Sequence, residues 1–172
     1  MNVWLIAAMS ADGKIAESSH QSSMDWTSKE DTRFFIDKTK EAGVMIMGRK
    51  TFETIGKPLK GRRIIVMTRN NEPLEGMGEG LVTGLVEYTT HQPVELLQHL
   101  ASEGVETVVV AGGGAVYSRF LQEGLVTDLY LTIEPVLFGD GVSFVSDINR
   151  ITMRLEEVIQ LNDQSVLIHY KV

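Results

Sequence analysis

Short apolar runs alternate with amphipathic stretches along this chain. "VWLIAAM" (3–9), "VMIM" (44–47), "RIIVMT" (63–68) and "TVVVA" (107–111) are continuous and apolar, as strands buried on both faces are. Between them apolar residues recur at helical spacing. One helix is predicted from Thr27 or Ser28 to about Glu41, and a short one over 49–55 that ends at Gly56-Lys57-Pro58. Another opens at Pro93 and closes at Gly104. A fourth sets Val116, Tyr117, Phe120 and Leu121 on one face and stops at Gly124. "LVEYT" (85–89) is a weaker strand, and the Gly-rich polar stretch 70–80 is a surface loop. Beyond residue 124 the helical pattern ceases, and strands follow over 128–138, 154–161 and 165–172. Strands separated by helices imply a parallel sheet covered on both faces, and the helix-free end implies antiparallel strands added last.

In such sheets ligands gather beyond the carboxyl ends of the strands. The unusual residues fall there: Ala8 to Gly13, Gly48 to Thr51, Thr68-Arg69 and Gly112 to Gly114. In "VVVAGGGAVY" three glycines follow a strand and open a helix, which lets a phosphate approach backbone N–H groups. The stretch misses the Rossmann fingerprint, because Tyr117 stands where the third glycine belongs, and no Lys-Ser/Thr follows to make a P-loop. The plain reading is a tight strand-to-helix turn. "GRKT" (48–51) also opens a helix after a strand, so Arg49, Lys50 and the Thr51 amide suit phosphates, with Arg69 beside them.

Charge sharpens this. The 172 residues, enough for a single domain over 1–172, carry a net charge of −7, and a nucleic-acid binder would need a basic footprint. Yet Arg49, Lys50, Lys57, Lys60, Arg62, Arg63 and Arg69 crowd one stretch against a single acid, Glu53. That stretch is either a site for a small anionic ligand or a solvated face. Cysteine is absent and the four His have no paired ligand spacing, so neither a disulfide framework nor a metal site is expected. The first apolar run is too short to span a bilayer and lacks a basic leader, so the expected location is the cytoplasm.

"MDWTSKEDTRFF" (24–35) holds the least expected residue. Asp31 precedes Phe34 and Phe35 by three and four positions, so on a helix it shares their inward side. Ser28-x-x-Asp31 and Thr27-x-x-Glu30 both read as capping boxes, which would explain the acid locally. Glu30 can serve the cap, however, leaving Asp31 as a buried carboxylate in want of a partner. A ligand with two adjacent N–H groups is one such partner.

With these segments in order, the chain resembles dihydrofolate reductase over nearly its whole length. The resemblance rests on "IAAMSADGKIA", "MDWTSKEDTRFF", "VMIMGRKTFETIGKPLKGRRIIVMTR", "VVVAGGGAVYSRFL" and "LYLTIEPVLFGDG". It implies an α/β fold: a mostly parallel eight-stranded sheet with antiparallel C-terminal strands and four flanking helices. It implies NADPH as cofactor, dihydrofolate as small-molecule substrate, and a monomer or homodimer. Asp31 takes the place of the acid that grips the pterin, Thr132 of the hydroxyl that supports it, and Trp26 of the tryptophan that orders water nearby. Ile6, Ala8, Phe35, Ile55 and Leu59 take the places that line the substrate, and Arg62 that of the arginine that forks onto the glutamate α-carboxylate. Cofactor positions correspond to Ala8, Ile15, Met24, Gly48, Arg49, Lys50, Thr51, Thr68, Arg69, Gly112, Gly113, Gly114, Ala115, Val116 and Tyr117. Met24 matches the loop methionine over the nicotinamide, and the basic strand ends match the family's phosphate contacts.

The loop from Glu17 to Ser23 is longer than in common bacterial members, and Ala111 is smaller than their usual residue. "MSADGKIA" and "PVLFGDGVSF" also resemble the reductase domain of riboflavin synthesis, which implies a phosphorylated ribosylaminouracil as the alternative substrate. A non-catalytic nucleotide-binding module on the same scaffold is the remaining alternative.

Overall fold

The computed structural model describes residues 1–69 and 86–172. The loop expected at 70–80, and Leu85 at the start of the weaker strand, lie outside the described residues. In chain order the elements are β1 (Asn2–Ser10), β2 (Lys14–Ala16), a 3-10 turn (Ser23–Asp25), α1 (Lys29–Ala42), β3 (Val44–Gly48), α2 (Arg49–Ile55), β4 (Arg63–Met67), β5 (Val86–Thr89), α3 (Pro93–Ser102), β6 (Thr107–Val110), α4 (Gly114–Gln122), β7 (Asp128–Glu134), β8 (Val142–Ser143), β9 (Arg154–Gln160) and β10 (Val166–Lys171).

Eight strands form one sheet in the order β5-β4-β3-β6-β1-β7-β10-β9. The pairs from β5 to β7 are parallel, and β10 joins β7 and β9 antiparallel. The expected mostly parallel sheet with antiparallel C-terminal strands is therefore present. β2 and β8, which no apolar run announced, form a separate two-stranded ribbon.

The core lies on both faces of the sheet because the central strands are apolar at every position. Along β3, Val44 and Ile46 join a cluster with Leu96 and Leu100 of α3 and Phe120 of α4. Met45 and Met47, pointing the other way, join Phe52 of α2 and Phe35 of α1. Fully burying side chains the size of Phe52 and Phe120 contributes about 2–3 kcal/mol each. Coverage stops at the far edge, where every residue of β9, in the helix-free antiparallel part, is exposed.

Element ends follow local chemistry. α1 starts at N-cap Ser28 and stops at Gly43, whose φ of 74° is a conformation glycine adopts without strain. α3 opens with Pro93, and Glu95 accepts the Gln92 N–H at 3.1 Å. β7 is shorter than the expected 128–138: it ends at Glu134, since Pro135 has no N–H to continue the ladder.

Candidate active site

Among the described residues, four charged side chains are buried: Asp31, Arg62, Asp128 and Glu134. Asp128 is paired, with His169 Nε2 at 2.8 Å and Lys171 Nζ at 2.6 Å. Among the described residues the other three have no oppositely charged partner. A buried charge is costly unless compensated, so these three mark where to look.

Asp31 is 7 % exposed, in the first turn of α1. Thr132, in β7, lies beside Ala8 of β1 in the parallel ladder, and its hydroxyl, like that of Thr27, is near enough to the Asp31 carboxyl to favour its ionised form. Burial pushes the carboxyl above the ordinary carboxylate range, the two hydroxyls pull it back, and the neighbouring charge of Glu134 raises it again. Burial wins this opposition.

The cap of α1 is arranged differently from the capping boxes in the sequence. Ser28 Oγ accepts the Asp31 N–H at 3.2 Å, but Asp31 does not return to the Ser28 backbone. Glu134, from the end of β7, accepts the Ser28 N–H at 2.8 Å and the Ser28 hydroxyl at 2.7 Å. Glu30, expected to serve the cap, instead meets Asn162 at 3.1 Å near the surface. The distant glutamate fills the reciprocal half of the box, and Asp31 is left to face inward.

Arg62 is also 7 % exposed, and burial lowers its guanidinium below the usual value. Its Nη1 donates to Thr39 Oγ1 at 3.0 Å, and its Nε to the Lys60 carbonyl at 3.3 Å. The Thr39 hydroxyl donates in turn to the Phe35 carbonyl at 2.7 Å, which aims its lone pair at Arg62. Its neighbour Arg63 is spent on structure, forking onto Glu87 at 2.7 and 2.8 Å and reaching Glu103. The basic stretch thus divides between adjacent arginines.

Asp31, Phe35 and Thr39 stand at i, i+4 and i+8 on one face of α1. At 1.5 Å per residue, Thr39 and the guanidinium it holds lie about 12 Å along the axis from Asp31, with Phe35 midway. Phe35, Ile55 and Leu59 pack together against Met45, Met47 and Phe52, forming an apolar wall. The site therefore runs from a negative end, past an aromatic wall, to a positive end. Trp26 stacks edge-on to Phe138 with centroids 5.0 Å apart, and its buried Nε1–H meets no acceptor. Met24 is 68 % exposed on the turn Ser23–Asp25, so the chain itself does not bring it onto the site. The long loop before it is clasped by Glu17 and Gln21, whose side chains bond each other at 2.9 Å.

Of the expected cofactor residues, Gly48 to Thr51, Thr68-Arg69 and Gly112 to Gly114 follow or end the adjacent strands β3, β4 and β6, whereas Ala8 lies in β1, Ile15 in β2 and Met24 on the turn Ser23–Asp25. The Gly48 N–H donates to the Gly112 carbonyl at 2.8 Å, tying two of those ends together. Gly112 and Gly113 are joined by a cis peptide bond, and Gly112 has a φ of 114°. The space beside these glycines belongs to the chain. A Cβ on Gly112 would lie 3.1 Å from Tyr117 Oη, one on Gly113 3.2 Å from Thr51 Oγ1, and one on Gly114 2.7 Å from the Ser143 carbonyl. Close packing, more than ligand approach, explains glycine here. Tyr117 is buried, and its hydroxyl donates to the Ile6 carbonyl at 2.8 Å. Val116 packs beside Gly48, Ile15 beside Gly114, and Ala115 is exposed in the first turn of α4. α2 and α4 begin at Gly48 and Gly113 with no side-chain cap, so their first amides are donors for an anion. Arg49 pairs with Glu53 at 3.3 Å, Lys50 and Arg69 are exposed, and the Thr68 N–H bonds the Thr89 carbonyl. These donors fit a ligand with separated phosphates. No cluster of metal-ligating side chains occurs among the described residues, and none of their helices is long and apolar enough to cross a membrane.

Sequence reasoning did not single out Glu134 or Thr39, and read Thr27 only as a helix start and cap. A signal existed for Glu134: it lies two positions after Thr132 on a strand, hence on the same face.

Comparison with known proteins agrees with this architecture. The family model for dihydrofolate reductase matches residues 2–166. The dihydrofolate reductase of Neisseria gonorrhoeae is 34% identical over 135 residues, covering 78% of this chain and 74% of that protein. Among solved structures, Acinetobacter baumannii RibD superposes with a TM-score of 0.85 at 21% identity, over 99% of this chain and 57% of that one. A diaminohydroxyphosphoribosylaminopyrimidine deaminase/5-amino-6-(5-phosphoribosylamino)uracil reductase from Thermotoga maritima superposes with a TM-score of 0.76 at 19% identity, over 99% and 56%. This chain spans little more than half of those two proteins, and at such identity they establish the fold. The chain therefore belongs to the dihydrofolate reductase family of oxidoreductases.

Proposed function

We propose that this protein reduces 7,8-dihydrofolate to tetrahydrofolate with NADPH. The observation that carries the reading is the ruler on α1: buried Asp31, then Phe35, then Arg62 held at Thr39 about 12 Å away. Dihydrofolate repeats that order, with two N–H donors on its heterocycle, a benzoyl ring, and an α-carboxylate.

NADPH, when bound, supplies the hydride, and the residues that would hold it are the amides after Gly48 and Gly113, with Arg49, Lys50, Thr51, Thr68 and Arg69. Asp31 accepts from the pterin N3–H and 2-amino group, which compensates its charge. The Thr132 and Thr27 hydroxyls orient the carboxylate. Phe35, Ile55 and Leu59 exclude water along the ring system. Arg62 forks onto the carboxylate and fixes the far end, so that C6 is presented in one orientation. Asp31 favours protonation of N5 by water through its charge, while the Trp26 N–H orders solvent nearby.

A second reading is supported by the likeness to the 5-amino-6-(5-phosphoribosylamino)uracil reductase of Thermotoga maritima and by "PVLFGDGVSF": reduction of a phosphorylated ribosylaminouracil, with Arg62 meeting its phosphate. NADPH oxidation is followed with each substrate in turn. Turnover with dihydrofolate is expected. Turnover only with the ribosylaminouracil phosphate selects the second reading, and none with either points to a binding module.

A further inference from the structure

We propose that Glu134 is a positioning residue of this site, fixing Asp31 through Ser28 and setting a second buried negative charge beside it. This rests on Asp31 being the acid that grips the substrate heterocycle.

Glu134 is 2 % exposed and, among the described residues, has no cation partner. Hydrogen bonds compensate it instead: the Ser28 N–H at 2.8 Å, the Ser28 hydroxyl at 2.7 Å, and the hydroxyl of Ser165 just before β10. The positive end of α1 adds to this. Because the Ser28 hydroxyl proton is given to Glu134, its oxygen is turned to accept the Asp31 N–H. The first turn of α1 is thereby bolted to β7, the strand that carries Thr132. Thr132 and Glu134 share a face, so one strand sets both the orientation and the electrostatics of Asp31.

The groups facing Asp31 are few. Glu134 comes from β7 and the buried Tyr117 hydroxyl from α4. Glu30 and Lys29, on its own helix, are exposed, and Asp163 lines the open crevice on the Trp26 side of Glu134. Of these, Glu134 is the buried charge, and its negative sign opposes ionisation of Asp31. The pocket thereby favours a heterocycle that brings donors and positive charge.

Glu134→Gln separates the two roles. The amide oxygen still accepts from Ser28, but the charge is gone. In protein carrying 13C-labelled aspartate carboxyls, with Asp31 assigned by its loss in Asp31→Asn, the Asp31 titration in the free protein moves to lower pH. The acid limb of kcat/KM for dihydrofolate moves the same way. An unmoved or raised Asp31 titration overturns the proposal. If the wild type does not turn over dihydrofolate, the substrate reading fails while the titration still decides the role of Glu134. Should Glu134→Gln not fold, Glu134→Asp carries the test. It keeps the charge but withdraws it from Ser28, so amide exchange at Asp31 speeds up and kcat/KM falls roughly tenfold or more. Wild-type exchange and rate in that variant refute the positioning role.

Discussion

Replacing Asp31 by Asn is expected to make the free protein more stable and nearly inactive. Ionised Asp31 is buried, lacks a cation among the described residues, and sits beside Glu134. Its carboxyl therefore holds its proton more tightly in the folded than in the unfolded chain, raised first by burial. The sign follows from linkage. Stability falls as pH rises from the ordinary value of 3.8 through the raised folded value, and the whole penalty is present above that folded value. Asn removes the charge and keeps an acceptor oxygen on the side of Thr132. Relief of that kind is worth about 1 kcal/mol, which in a chain of this size raises Tm by about 2–4 °C. Dihydrofolate turnover at neutral pH falls roughly hundredfold or more, and NADPH affinity is nearly unchanged. Thermal unfolding of both proteins at neutral and mildly acidic pH is the assay. The advantage of the variant shrinks toward acid, where wild-type Asp31 regains its proton. An Asn variant that is less stable at neutral pH, or that turns over as fast as the wild type, refutes the argument.

Other outcomes follow from the strand ends. Gly114→Ala sets a Cβ 2.7 Å from a backbone carbonyl, that of Ser143, and costs upwards of about 2 kcal/mol in denaturant unfolding. Gly48→Ala instead meets the tip of Val116 at 3.1 Å, costs about 1 kcal/mol, and is relieved in the double variant with Val116→Ala. Arg69→Ala raises KM for NADPH more than for NADH; equal effects remove Arg69 from the cofactor's extra phosphate. Asp12 is held down to about 2, chiefly by the Ser10 hydroxyl at 2.6 Å and then by the Phe138 and Gly139 amides. A depressed carboxyl stabilises the fold above its ordinary 3.8 and loses that contribution as pH falls toward about 2. Asp12→Asn therefore flattens the acid limb of stability against pH, and an unchanged limb overturns the assignment.

The fold was legible where one physical rule dominated. Buried parallel strands such as Met45–Met47 are apolar at every position, and helix ends carry Ser28, Gly43, Pro93 or Gly56. It was obscure where elements are too short for a period, as in Lys14–Ala16 and Val142–Ser143. The overlong strand at 128–138 neglected Pro135, which the sequence displays. At the site, Asp31 could be read because an acid on a Phe face breaks the pattern. Glu134 could not be read so directly. Its partner Ser28 is 106 residues away, and only the folded sheet shows that the cap's second half comes from another strand. Thr39 stayed hidden for a similar reason: a helical threonine is unremarkable until a buried arginine is found on it.

Two buried charges, Asp31 and Arg62, lack a counter-ion among the described residues, and the proposal is that one ligand joins them. Its most direct test is the affinity of the wild type and of Arg62→Lys for dihydrofolate and for the same dihydropterin lacking the benzoylglutamate, by calorimetry. Lysine keeps the charge but not the fork, so the variant should lose about 1–2 kcal/mol toward dihydrofolate and nothing toward the bare dihydropterin. Equal losses for both ligands, or none for either, contradict the proposed span from Asp31 to Arg62.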